Sequence, residues 1–118
     1  NVGITFNLPH FLALKEPKDV ARLPKLLKNA APYLFAVSIC GATALSGEEK
    51  ESVGNQKIWS HLIQPLGEGT FDNRWLLSRL EKIGFTGPVG LQCYNIPGDK
   101  RDILSRSATW WKQYQSNK

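Results

Sequence analysis

The sequence has no methionine and only two cysteines in 118 residues. Asn1 stands one residue before what reads as a strand, so the missing methionine leaves no room for an ordinary initiation segment, and the chain reads as a piece of something longer. Cys40 and Cys93 have neither the spacing of a metal site nor the density of a disulfide-stapled secreted domain. Two small buried thiols in a reducing compartment, the cytoplasm by default, are expected instead. No apolar run approaches the roughly 18–20 residues that cross a bilayer, and the N-terminus lacks the basic stretch and small-residue cleavage site of a signal peptide. A membrane span is thereby excluded. Neither sign of charge gathers in one place: fifteen Lys+Arg against ten Asp+Glu give +5 and a pI near 9.4, but Lys25, Lys28, Lys50, Lys57, Lys82 and Arg106 are interleaved with acids. That pattern favours solubility over nucleic-acid binding. What is present, 42% hydrophobic and 21% charged residues, fits one soluble domain over residues 1–118.

Residues 2–7 read as a strand stopped by Pro9. Val20, Leu23, Leu26, Leu27, Ala30, Ala31 and Leu34 then recur at helical spacing from about residue 18, with Pro24 bending that helix or beginning its main body and Pro32 ending it. Residues 35–40 form a second strand. The polar stretch from 43 to about 57, with Glu48-Glu49-Lys50-Glu51, reads as a long loop that could serve as a lid. An extended segment from Ile58 to Pro65 follows. Thr70 or Asp72 caps a helix carrying Trp75, Leu76, Leu80 and Ile83, and Gly84 stops it. Val89 to Tyr94 is the last strand, and Asp99 caps a final helix with Ile103, Leu104, Ser107, Trp110, Trp111 and Tyr114. The order β-α-β-α-β-α implies an α/β fold whose parallel sheet runs in sequence order, with right-handed crossovers.

The three strands share an asymmetry. Val2, Ile4 and Phe6 oppose Gly3, Thr5 and Asn7; Phe35, Val37 and Ile39 oppose Ala36, Ser38 and Cys40; Val89, Leu91 and Cys93 oppose Gly90, Gln92 and Tyr94. Each strand thus offers one bulky face to helices and one small or polar face that grows more polar toward its C-terminal end, where α/β folds bind ligands. Asn7, His10, Cys40, Gln92 and Tyr94 would converge there. The same residues could instead hydrogen-bond one another inside a packed sheet.

Ile63-Gln-Pro-Leu-Gly-Glu-Gly-Thr-Phe-Asp72, a helix, and then Gly84-Phe-Thr-Gly-Pro-Val-Gly-Leu-Gln92 resemble the G-E-G-x-x-D … G-Y-x-G-x-v-x-l-E ending of xylose isomerase-like TIM barrels. This superfamily holds sugar-phosphate isomerases and epimerases and the endonuclease IV group. Val2 to His10 is similar to its v-G-x-x-x-D-x-x-H strand and Val37-Ser-Ile-Cys-Gly-Ala42 to its v-H-v-x-D-a strand. The resemblance covers nearly all of the chain and implies a partial (β/α)8 barrel, the last three βα units.

In metal-dependent members, the resemblance implies, an Asp, a His and a Glu from these three strands join a fifth-strand Glu around a divalent cation. Here Asn7, Ser38 and Gln92 stand at those places. Neutral amides and one hydroxyl do not offset the dehydration of a dication, and a carboxamide is no general base near neutral pH. No metal or other cofactor is therefore expected. His10 matches the family histidine and could handle a proton, or it is a loop residue beside the site. Glu68, between two glycines, would contact a substrate hydroxyl or hold its own loop. Trp59 and His61 could line a sugar pocket, or simply alternate along the segment.

A partial sugar isomerase/epimerase-like barrel is thus expected, with a carbohydrate or sugar phosphate as substrate class, His10 and Glu68 as candidate catalytic groups, and Asn7, Ser38, Cys40, Trp59, Gln92 and Tyr94 as candidate binding residues. The alternative is a non-catalytic carbohydrate-binding or assembly module; a nuclease would need the family's metal cluster. Three strands leave two open edges, so the chain is expected to form a homo-oligomer, a two-fold dimer in the simplest case, with Trp110, Trp111 and Tyr114 as a second candidate contact.

Overall fold

The computed structural model describes residues 2–118; the reading placed on Asn1 lies outside them. Three strands, β1 (Ile4–Asn7), β2 (Leu34–Ile39) and β3 (Val89–Leu91), form one parallel sheet in the order β1-β2-β3. Between β1 and β2 run α1 (Leu8–Leu14), a 3-10 turn at Pro17–Arg22 and α2 (Leu23–Ala30). Between β2 and β3 come α3 (Gly47–Val53), α4 (Ile58–Leu62) and α5 (Asn73–Lys82), and α6 (Lys100–Ser116) closes the chain.

Phe6 pairs with Val37 and Val37 with Val89, so these three side chains share the helix-facing side. Phe6, Val37 and Ile39 are buried there beneath Leu23 and Leu27 of α2 and Leu76, Leu77 and Leu80 of α5. Each fully buried leucine contributes roughly 2 kcal/mol of transfer free energy, so this layer dominates the stability of the sheet. Asn7, Ser38 and Gly90 are register partners on the opposite side.

The expected facing fails in four places. Val2 precedes β1 and is exposed, and Ile4 and Leu91 are exposed because β1 and β3 each have a neighbour on one side only among the described residues. Phe35 is 55% exposed because the pairing shifts between Ile4 and Thr5, and the irregularity makes Leu34 rather than Phe35 the buried partner of the core.

Three helices replace expected loop or strand. Pro9 does not merely stop β1; it occupies the first turn of α1, where a missing N–H costs nothing, and Asn7 caps that helix. Residues 47–53 are α3 rather than a lid loop, started by a capping box in which Ser46 and Glu49 satisfy each other's backbone N–H groups. Ile58 to Leu62 form α4, which buries Ile58 and Leu62. Asp72 and Asp99 cap α5 and α6 as expected, and Gly84, at φ 76°, follows α5.

Candidate functional site

Because the strands are parallel, their C-terminal ends lie on one side of the sheet, and the residues following them meet. A small pocket of about 160 Å³ opens there, lined by His10, Trp59, Ile63, Gln92 and Tyr94. Four of these five are expected binding or catalytic residues, drawn from α1, α4 and the end of β3. Ile63 is the addition: its place at the head of the Ile63–Asp72 string was the available signal.

Asn7 is the last residue of β1 and the N-cap of α1. Its Oδ1 accepts from the His10 backbone N–H at 3.3 Å and lies 2.8 Å from His10 Nδ1. The imidazole packs at 55° to the Trp59 ring, centroids 5.3 Å apart. Gln92 continues the ladder, its N–H donating to the Ile39 carbonyl at 2.8 Å, while its Oε1 accepts from the Tyr94 N–H at 3.2 Å. Tyr94 is 72% exposed. Ser38 lies half-buried in the sheet between Asn7 and Gly90 and does not line this pocket.

Cys40 does not line the pocket. It is fully buried, its Sγ donates to the Leu62 carbonyl at 3.2 Å, and burial pushes its thiol up to about 12, so it stays protonated and unreactive. Alternation along β2 fails at this residue because the chain leaves the sheet there. The next residue, Gly41, forms an isolated antiparallel bridge with Gln64. A Cβ at Gly41 would collide with the Pro65 carbonyl oxygen, so glycine is required for the close approach. Thr43 N–H to His61 O and Phe71 N–H to Ala42 O, both 2.8 Å, continue the stitching. This seam fixes α4, and with it Trp59, against the strand ends.

Glu68 also lies away from the pocket. Its carboxylate pairs with Arg106 on α6, which Asp102 also holds at 3.0 Å. The Glu68 carboxylate therefore ties its turn to the last helix, beside the Leu66 N–H that donates to Ser107 Oγ. A larger groove of about 370 Å³ runs between β3 and α6, along Val89, Leu91, Leu104 and Trp111. It is apolar, and its one hydroxyl, Ser107 Oγ, is taken by the Leu66 N–H. The pocket at the strand ends, by contrast, joins aromatic faces to an imidazole and a carboxamide.

A family profile for xylose isomerase-like TIM barrels matches residues 1–114. The chain belongs to the xylose isomerase-like TIM barrel family. A solved structure of a D-tagatose 3-epimerase-like protein aligns with a TM-score of 0.62 at 23% identity, over 98% of this chain and 35% of that one. The fold is thus an open, three-stranded part of a TIM barrel, spanning about a third of the solved relative. Among curated proteins none matches.

The family's divalent cation does not fit the residues present. Oδ1 of Asn7 already accepts from the His10 backbone N–H and lies against His10 Nδ1, Oε1 of Gln92 accepts from the Tyr94 N–H, and Ser38 offers only a neutral hydroxyl. Among the described residues no three His, Cys, Asp or Glu side chains gather as a metal-holding group. The family barrel here brings neutral hydrogen-bonding groups to the place where its relatives are expected to bring charge.

Proposed function

We propose that this chain forms the carbohydrate-holding end of a sugar isomerase/epimerase-like barrel, with the pocket between His10, Trp59, Gln92 and Tyr94 as the site. One observation carries the reading: aromatic faces and neutral hydrogen-bonding groups from three separate elements meet at the C-terminal strand ends. An aromatic face covers the apolar side of a sugar ring, and a few placed polar groups fix its hydroxyls. At 160 Å³ the pocket is below the roughly 300 Å³ of ordinary small-molecule sites, so it grips one end of a monosaccharide.

The neutral donor set favours a second reading, a module that binds sugar without turning it over. Incubating the chain with D-tagatose and D-fructose, with manganese or with chelator, and separating the sugars by chromatography distinguishes the two. The solved relative's name makes ketohexoses the first choice. Conversion of either ketose to another sugar supports an isomerase or epimerase; saturable binding without product supports the module. Neither product nor binding overturns both.

A further inference from the structure

A backbone N–H can only donate, so the Asn7 atom that caps the His10 N–H at 3.3 Å is the amide oxygen. That same oxygen lies 2.8 Å from Nδ1 of the His10 ring. An amide oxygen only accepts, so Nδ1 carries the hydrogen, and in the neutral ring the lone pair falls on Nε2. The cap of α1 thus also selects the tautomer. Trp59 packs against the ring from a different helix and holds its orientation.

We propose that Asn7 is a positioning residue that locks neutral His10 as the Nδ1–H tautomer, and that His10 Nε2 accepts a hydrogen bond from a hydroxyl of an uncharged carbohydrate end held near Trp59 and Tyr94, without a divalent cation. The inference rests on the pocket being the carbohydrate site and specifies which part of the sugar enters it. A hydroxyl both donates and accepts, and the site offers both: the Nε2 lone pair and the Gln92 amide N–H groups. A phosphate or carboxylate would meet that lone pair with no Lys or Arg lining the pocket to receive its charge. The phosphorylated end of a sugar phosphate is therefore the wrong partner for this pocket.

The test is a two-bond 1H–15N correlation spectrum of the whole 15N-labelled chain at a pH where the ring is neutral, with His61→Gln assigning the two histidines. The expected spectrum shows His10 Nδ1 protonated and Nε2 bare. Adding D-tagatose in chelator should shift the Nε2 resonance in the direction of hydrogen bonding. Asn7→Ala should move His10 toward the Nε2–H form that free histidine prefers and weaken tagatose binding by about tenfold or more. Asn7→Asp, which keeps the cap, should restore the Nδ1–H form. A wild-type His10 with Nε2–H, or a spectrum unchanged in Asn7→Ala, overturns the positioning role. Tagatose that binds by calorimetry without moving Nε2 overturns the acceptor role and leaves the carbohydrate site standing. No binding of any ketohexose sinks the site itself, while the tautomer spectrum still reports on Asn7.

Discussion

Asn73 donates from Nδ2 to the backbone carbonyl of Cys40 at 2.8 Å, tying the first turn of α5 to the C-terminal end of β2. The amide is 2% exposed and its Oδ1 has no partner among the described residues. This hydrogen bond joins the Gly41–Gln64 bridge in holding the point where the chain leaves the sheet for the seam that carries α4.

Replacing Asn73 with leucine leaves the Cys40 carbonyl buried without its donor. The expected cost is about 1–3 kcal/mol, the usual penalty for orphaning a buried polar group, read as a lowered midpoint in urea denaturation. An unchanged midpoint would mean that the carbonyl finds water and that Asn73 is not what holds this corner.

Tyr114 gives the fold a signature at high pH. Its hydroxyl donates to the Glu81 carboxylate at 2.7 Å, and Lys118 holds the same carboxylate at 2.8 Å. Burial first, and then the Glu81 carboxylate, push the phenol up to about 12 from an ordinary 10.0. The folded state therefore keeps a proton that the unfolded chain gives up, so the stabilisation is whole below pH 10 and falls as the pH rises toward 12. Stability followed by denaturation across that window should decline more steeply for the wild type than for Tyr114→Phe. Parallel declines would show that the phenol is not coupled to folding.

Much of this architecture is legible in the sequence, and the failures have physical reasons. Strand order follows from the β-α alternation, and α5 and α6 follow from Asp72 and Asp99 at their caps. Pro9 misleads because proline is read as a strand breaker although it also suits a helix's first turn. Ser46 and Glu49 carried the capping-box signal for α3 inside a stretch so polar that it read as loop. At the pocket, His10, Gln92 and Tyr94 follow from the strand-end rule, and Trp59 from the suitability of an aromatic face for a sugar ring. Cys40 and Glu68 do not: strict alternation cannot foresee that the chain turns out of the sheet at Gly41, or that Arg106 on a distant helix claims the Glu68 carboxylate.

Exposed Ile4 and Leu91 on the edge strands, with the apolar groove beside Leu104 and Trp111, predict self-association. Light scattering across micromolar concentrations should show a mass that rises toward the dimer, and Leu104→Lys should shift that rise to higher concentration. A monomer at every concentration would contradict the expected homo-oligomer.

The most direct measurement of the carbohydrate site is calorimetric titration of D-tagatose into chelator-treated protein, beside the same titration with manganese and with Trp59→Ala. One saturable site per chain is expected, with affinities with and without metal that agree within roughly twofold and a loss of about tenfold or more when the Trp59 face is removed. Binding that requires manganese, or that Trp59→Ala leaves intact, would contradict a neutral, metal-independent carbohydrate site at these strand ends.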